Sequence, residues 1–244
     1  MSESKHVIQW PRRHAQCSGP ILVSFSGIDG AGKTTQIDNL ISSLQDAGLR
    51  VRLVAFWDDI ASCRRLREAL GHAIFRGEVG VGAPGKPVNR RDKNIQNPLT
   101  IAARMFLCLI DAIGMKFTVA SLRRSPDVDV IVFDRYLYDQ LVNLGIRYHA
   151  SRLYARLILK LIPHPDIAYL LDADPVAARE RKPEYPVNFL RNSRAAYLVI
   201  SKIAGMSVIH AGSPQDVSIA VRGVFASKLG QPLDWIAPQF LTGT

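Results

Sequence analysis

The chain has 244 residues, of which 48% are hydrophobic and 21% are charged. This balance is that of an ordinary globular domain, so it excludes a chain that is disordered throughout and leaves no need for disulfide bonds. The formal net charge of +10 favours anionic partners, but it does not distinguish nucleotides from nucleic acids or acidic membrane surfaces.

The first predicted elements are a strand, a glycine-rich loop and a helix. Residues 1–19 are polar and without periodicity, which predicts a loose extension. The apolar run Ile21–Ser26 predicts a buried strand, and apolar residues at helical spacing follow the segment Gly27–Thr35 as far as Gly48. A second predicted strand, Val51–Phe56, completes a βαβ unit, so the sheet is expected to be parallel.

The glycine-rich loop carries the main chemical signal. It satisfies the pattern GxxxxGK[ST] between a strand and a helix, which is the context that this motif requires. Glycines let successive backbone N–H groups point at phosphate oxygens, and the helix N-terminus adds a positive field. The pattern predicts ATP bound with Mg²⁺, with Lys33 reaching the β and γ phosphates and Thr34 coordinating the metal. The predicted ATP-binding residues are Gly27, Gly30, Ala31, Gly32, Lys33, Thr34 and Thr35.

A loop and an apolar segment lie between the second and third predicted strands. The stretch Arg76–Pro98 is rich in glycine and proline and lacks apolar periodicity, which predicts a mobile loop, either a solvated insertion or a cover over a substrate. The apolar run Ile101–Met115 follows, but Arg104 and Asp111 interrupt it. A membrane-spanning helix needs roughly 18 uninterrupted apolar residues, so none is predicted.

A charged pair follows the third predicted strand, Val128–Phe133. The carboxylate of Asp134 is expected at the carboxyl edge of the sheet, beside the phosphate loop, where it can hold Mg²⁺ directly or through water. Arg135 can bind a transferring or accepting phosphate through two N–H groups. The alternative interpretation is a capping aspartate beside a surface arginine, and the neighbouring phosphate loop makes it the weaker one.

A basic stripe is predicted on the next helix. Three basic residues and three leucines each recur at four-residue spacing, and the two sets are expected on opposite sides of the helix. We interpret the stripe as a solvated face, with contact to an acidic membrane or nucleic acid as the alternative. The basic residues are Arg152, Arg156 and Lys160, and the leucines are Leu153, Leu157 and Leu161.

Two further strands, Ile167–Leu171 and Ser207–His210, bring the predicted sheet to about five strands. Segments long enough for helical crossovers separate the strands, which predicts an α/β fold with a parallel sheet. The predicted domain spans 20–229, between the extension over 1–19 and an aperiodic C-terminal tail over 230–244.

The segment Phe25–Thr35, together with the later Asp134–Tyr136, resembles the thymidylate kinase family. The resemblance extends roughly from Ile21 to Leu229. It implies a P-loop nucleoside monophosphate kinase with a five-stranded parallel sheet, a mobile lid, ATP as donor and dTMP as acceptor. It also implies that Asp29 contacts the sugar of the acceptor and Arg135 its phosphate. Members of the family are often homodimers.

The resemblance places a lid directly after the fourth strand, at about 175–190. There Asp174-Pro175 matches a helix cap and a first-turn proline, and basic residues follow. Some members carry an arginine at the position of Gly30, and those with glycine supply the positive charge from the lid. We expect Arg181 to stabilise the transferring phosphate, with simple complementation of the helix dipole as the alternative. The expected fold is thus a P-loop NTPase three-layer α/β/α sandwich with a five-stranded parallel sheet and a helical lid.

Two segments depart from the pattern of the family. Phe56–Asp59 stands in place of an Arg-Glu-Pro-Gly segment, and Leu137–Leu144 replaces a serine-rich stretch that ends in Ala-Tyr-Gln. These changes are expected to alter the acceptor pocket and to remove groups near the base. Arg104 is a candidate to read the base, and Trp57 or Phe106 to stack on it, although core packing is the expected role of both aromatic residues.

The resemblance implies transfer of the γ-phosphate of ATP to a nucleoside monophosphate, a step of nucleotide biosynthesis. A kinase for another nucleotide, a nucleoside or a sugar derivative is the main alternative, because the acceptor segments are altered. A nucleotide-switched binding module is the alternative from another class. No Asn-Lys-x-Asp segment indicates guanine recognition.

Localisation and partners follow from the same features. The three cysteines lie far apart and lack the paired spacing of a metal site, which predicts a cytoplasmic protein. The expected partners are small nucleotides. A homodimer is an open alternative to a monomer, and no stable nucleic-acid or membrane partner is expected.

Overall fold

The computed structural model describes residues 19–61, 98–145 and 149–229. Much of the predicted extension, the predicted loop from Arg76 to residue 97 and the predicted C-terminal tail lie outside these residues. In chain order the elements are β1 (Ile21–Ser26), α1 (Lys33–Asp46), β2 (Val51–Ala55), a π-helical turn (Phe56–Ile60), α2 (Pro98–Leu122), β3 (Val130–Asp134), α3 (Leu137–Val142), α4 (His149–Leu161), β4 (Ile167–Asp172), α5 (Pro175–Arg181), α6 (Val187–Ala204), β5 (Ser207–His210) and α7 (Pro214–Lys228).

The strands form one parallel sheet in the order β2-β3-β1-β4-β5. This confirms the predicted α/β fold with five parallel strands. β1 lies at the centre of the sheet, so the loop that follows it opens at the middle of the carboxyl edge. Asp134 at the end of β3 is in register with Phe25 of β1 and with Ala55 of β2. The charged end of β3 therefore lies next to the phosphate loop.

Helices cover both faces of the sheet. Along β1, alternate side chains enter different cores, because successive strand residues point to opposite faces. Leu22 packs in a core with residues of α2, α3, α4 and α6. Val23 and Phe25 pack in a second core with residues of α1 and α7. The fold is thus the predicted three-layer sandwich.

The prediction that the leucines of α4 lie opposite its basic residues is wrong. Leu153, Leu157 and Leu161 are 59%, 54% and 45% exposed, and the basic residues beside them are also exposed. Neighbouring residues of a helix are rotated by only about 100°, so each leucine adjoins the basic residue that precedes it. The side that α4 turns to the core carries Ala155, Ile158 and Leu159.

Helix α2 is buried along one side only. By length and composition its span Ile101–Leu122 could cross a membrane, with a mean hydropathy of 1.7 and 39% of the tested window buried. One such helix is a weak indication, because a core helix passes the same test. Cys108 and Met115 face the core, whereas Phe106 is 64% exposed on the other side. The core packing expected for Phe106 is therefore wrong.

Two glycines of the loop allow a close backbone approach. Gly27 and Gly30 have φ of 149° and 83°, a region that side chains disfavour. A Cβ at Gly27 would collide with the carbonyl oxygen of Leu171 at the end of β4, and one at Gly30 with that of Ala178 in α5. Helix α5 thus rests directly on the loop.

We predict that Gly30→Ala destabilises the fold more than Gly48→Ala. Gly48 has a similar φ of 80°, but a Cβ there would meet nothing within 4 Å. Gly48→Ala should lower the free energy of unfolding by about 1–2 kcal/mol, the cost of the left-handed conformation. Gly30→Ala should lower the free energy of unfolding by roughly 1–3 kcal/mol more, because of the collision with Ala178. Denaturant unfolding of both variants measures the difference, and equal losses would show that α5 does not rest on the loop.

Candidate active site

The loop Gly27–Thr35 joins the end of β1 to the start of α1. Gly32 adopts a left-handed conformation directly before the helix, and Ala31 N–H donates to Ile28 O at 3.1 Å, which closes the turn. Thr34 lies exposed in the first helical turn. The N-terminal N–H groups of α1 therefore surround the space after β1, as phosphate binding requires.

The ammonium group of Lys33 lies inside this loop. It donates hydrogen bonds to Gly27 O and Ile28 O, both at 2.9 Å, and the side chain is buried. Burial is the main cause that lowers the pKa of Lys33 to about 7, and the positive charge of Arg135 adds to it; nearby carboxylates oppose the shift. The carbonyls of the loop are thus the hydrogen-bond partners of this lysine.

Asp134 and Thr34 are the predicted magnesium ligands. Asp134 is half-buried at the end of β3 and close enough to Lys33 to affect its pKa. Both residues offer oxygen atoms, the ligand type that Mg²⁺ prefers, and Mg²⁺ in such sites usually keeps waters and binds substrate phosphates. Within the described ranges, no group of three or more His, Cys, Asp or Glu side chains could hold a metal alone. The oxygen atoms of Thr34 and Asp134 therefore fit a metal ion that is also bound by the phosphates of a nucleotide.

Arg135 lies between two carboxylates. Its φ of 69° is the one left-handed value found among the described residues other than glycine. One guanidinium nitrogen forms a short ion pair with Asp29 Oδ1, and the other donates to Asp139 Oδ1 at 2.9 Å. Burial alone would lower the pKa of Arg135, but the two carboxylates outweigh it and the pKa is raised. The structure thus brings two of the three predicted acceptor-binding residues, Asp29 and Arg135, into contact.

Asp139 is a site residue that the sequence analysis did not single out. Its side chain is buried, and its two oxygens accept hydrogen bonds from Arg135, Ser26, the backbone of Tyr136 and the hydroxyl of Tyr197. Its position three residues after Tyr136, at the start of α3, is typical of a helix-capping carboxylate. That spacing could have identified Asp139 as a capping residue from the sequence. Nothing local in the sequence, however, indicates its contact with Tyr197.

A pocket opens beside Arg135 and the phosphate loop. Both altered segments contribute to it, since Trp57 of the π-helical turn and Asn143 after α3 line the wall. The described lining does not include Arg104, which lies half-buried on α2. The wall formed by α6 was not predicted. The described lining comprises Gly27, Ile28, Asp29, Trp57, Arg135, Asp139, Val142, Asn143, Phe189, Leu190, Ser193 and Tyr197.

Helix α5 occupies the predicted lid position. Asp174 caps it as expected, with Oδ1 accepting from Val176 N at 2.9 Å and Ala177 N at 3.0 Å. Arg181 Nε donates to Gly30 O at 2.9 Å. Arg181, the residue expected to stabilise the transferring phosphate, therefore contacts the phosphate loop at Gly30.

The end of β4 is tied to α6 by an ion pair. Arg194 donates through Nε and a terminal nitrogen to the two oxygens of Asp172, at 2.6 and 2.8 Å. Asp172 is buried, whereas Arg194 is more accessible. The two-point contact fixes α6 relative to the sheet, and α6 in turn carries one wall of the pocket.

Comparison with known proteins gives related sequences and folds. No family model matches the chain. A probable thymidylate kinase of Archaeoglobus fulgidus is 23% identical over 217 residues, which cover 86% of this chain and 96% of that protein. A thymidylate kinase of Bifidobacterium longum is 27% identical over 165 residues, 66% of this chain and 70% of the relative.

The fold has a solved counterpart. The crystal structure of thymidylate kinase from Ehrlichia chaffeensis superposes with a TM-score of 0.54 at 19% identity, over 85% of this chain and 98% of that one. At this identity the structural match shows the fold alone. In sequence and in fold, the chain is thus similar to thymidylate kinases.

Proposed function

We propose that this chain is a nucleoside monophosphate kinase of the thymidylate kinase type, which transfers the γ-phosphate of ATP to dTMP to give dTDP and ADP. The observation that carries the proposal is the position of Arg135 and Asp29. They line a pocket that adjoins the phosphate loop, so a donor and an acceptor phosphate can lie side by side. We propose a cytoplasmic location for this activity.

The donor side is formed by the loop and its lysine. The backbone N–H groups around Gly32 and the ammonium of Lys33 bind the β and γ phosphates, and Lys33 exchanges its two carbonyl contacts for phosphate oxygens. Thr34 and Asp134 are the residues that would hold Mg²⁺, which supplies neutralisation of phosphate charge when bound. These groups fix the γ-phosphate for attack.

The acceptor side is formed by Arg135 and Asp29. The guanidinium binds the acceptor phosphate and orients one of its oxygens towards the γ-phosphorus, while Asp29 accepts a hydrogen bond from the sugar. No general base is needed, because the attacking phosphate oxygen is already a nucleophile. Arg181, brought to the loop by α5, neutralises charge on the transferring group. Catalysis is chiefly alignment and charge stabilisation.

Lys33 gives the first functional prediction, a dependence of ATP binding on pH. The pKa of Lys33 near 7 in the free protein must rise when phosphate binds, so binding takes up a proton above about pH 7. The affinity for ATP should therefore be level below that pH and fall by up to about tenfold per pH unit above it. Calorimetry in buffers of different ionisation enthalpy measures both the affinity and the proton uptake.

The matched control is Lys33→Ala, which should bind ATP weakly with no proton uptake from this site. It should also reduce turnover by at least on the order of a hundredfold, as expected for the loss of one preorganised charge. A pH slope that persists unchanged in Lys33→Ala would assign the titration to another group.

The altered acceptor segments predict relaxed base selectivity. Trp57 offers an aromatic face and Asn143 an amide to the pocket, in place of the groups that the family carries in these segments. We expect dTMP to be accepted without being sharply preferred over dUMP, UMP, CMP or AMP. Competition assays with ATP and this panel, followed by ADP release and product analysis, measure the ratios of kcat/KM.

The outcome of the same assay separates the alternatives. A preference for dTMP of about a thousandfold, roughly 4 kcal/mol, would contradict relaxed selectivity. Turnover of a nucleoside or a phosphorylated sugar, with none of any monophosphate, would replace the proposed acceptor. ATP hydrolysis stimulated by nucleic acid alone would instead support a nucleotide-switched binding module.

We also propose that the chain forms a homodimer through α2. Four large apolar side chains lie exposed along the outer side of this helix, at spacings of three and four residues that place them in one stripe. A stripe of this kind on a helix favours contact with a matching surface. The residues are Phe106, Leu109, Ile113 and Phe117, and their exposed fractions run from 36% to 73%.

The dimer is tested by Phe117→Asp with Leu157→Asp as control. Both positions are exposed and apolar, but Leu157 lies on α4, outside the proposed interface. Light scattering after gel filtration should give twice the 27.0 kDa chain mass for the unaltered protein and for Leu157→Asp, and a single chain mass for Phe117→Asp. A monomeric unaltered protein, or dissociation by Leu157→Asp instead, would contradict the proposal.

A further inference from the structure

Asp139 connects three elements around the acceptor pocket. Oδ2 accepts from the hydroxyl of Ser26 in β1 at 2.7 Å and from Tyr136 N at 3.2 Å. Oδ1 accepts from Arg135 at 2.9 Å and from the hydroxyl of Tyr197 in α6 at 2.7 Å. The carboxylate is 2% exposed, so water is a minor competitor for these bonds. Its orientation is set by three donors besides the arginine.

The direction of the Arg135 side chain depends on a fixed partner such as Asp139. Its backbone lies outside helix and strand geometry, with φ of 69°, so no regular element fixes the direction of its side chain. Of its two carboxylate contacts, Asp29 belongs to the phosphate loop, and Asp139 to the start of α3. Displacing Asp139 would leave up to three other buried donors without an acceptor, and each unpaired donor would cost free energy. A bound acceptor phosphate can therefore be expected to leave the Asp139 contact in place.

We propose that Asp139 is the positioning residue for Arg135, and that the hydroxyl of Tyr197 makes acceptor binding depend on α6 through it. The proposal rests on the proposed function of Arg135 as the group that binds the acceptor phosphate. Tyr197 and Arg135 share one oxygen of Asp139, so loss of the hydroxyl frees that oxygen and lets the carboxylate and guanidinium rotate together. Because α6 also lines the pocket, its placement and the direction of Arg135 are coupled.

The chain provides a matched pair of variants. Tyr197→Phe removes the hydroxyl that donates to Asp139. Tyr169→Phe removes another buried tyrosine hydroxyl, which donates to Val221 O at 2.8 Å between β4 and α7, on the other side of the sheet. Both variants should lose similar thermal stability. Only Tyr197→Phe should raise the KM for dTMP, by about three- to tenfold, with the KM for ATP unchanged.

A double-mutant cycle separates positioning from direct contact of Tyr197 with the acceptor. In an Arg135→Ala background, Tyr197→Phe should have no further effect on dTMP affinity measured by calorimetry, because the hydroxyl acts through the arginine. Asp139→Asn, which keeps the shape and removes the charge, should resemble Tyr197→Phe in direction with a larger change. Additive effects of Tyr197→Phe and Arg135→Ala would overturn the proposal.

One readout does not require the proposed reaction. The Nε–H resonance of Arg135 in the ¹⁵N NMR spectrum should shift in Tyr197→Phe and stay unchanged in Tyr169→Phe, whether or not any monophosphate is phosphorylated. An unchanged resonance in both variants would refute the positioning role. A shifted resonance in a protein that turns over no monophosphate would instead retain the positioning role and refute the proposed function.

Discussion

The site depends on balancing two buried cations at the carboxyl edge of the sheet. Lys33 and Arg135 lie in a region with little access to water, and an unpaired charge there would cost several kcal/mol. Asp29 and Asp139 supply the opposing charge at Arg135, with Asp134 nearby. The loop, the end of β3 and the start of α3 are held together because all three contribute charged groups to this cluster. In the proposed function, these cations exchange carbonyl or carboxylate partners for phosphate oxygens.

The local parts of this arrangement could be predicted from the sequence. The phosphate loop and Asp134 follow from short patterns, because a buried parallel strand delivers the next residues to a known edge of the sheet. The cap at Asp174 likewise follows from two adjacent residues. Contact between Asp29 and Arg135 lay within reach of the same reasoning, since β1 and β3 pair directly.

The parts of the site that come from residues distant in the sequence could not be predicted. Tyr197 lies 58 positions after Asp139, and helical periodicity does not say whether a tyrosine faces a core or a pocket. The general tendency of aromatic residues to be buried failed for Phe106. Four-residue spacing also failed to place the leucines of α4, because each leucine adjoins the basic residue that precedes it. The pocket wall on α6 could not be predicted either, because only tertiary packing brings its side chains to the pocket.

The contact between Gly30 and α5 has a consequence for how this protein can vary. Because the carbonyl of Ala178 occupies the space that a side chain at position 30 would need, the loop and α5 cannot change independently. A relative with a larger residue at this position must have a helix α5 that lies farther from the loop or that begins with a different first turn. The two positions therefore form a covarying pair, and a helix α5 taken from such a relative would require the loop residue of that relative as well.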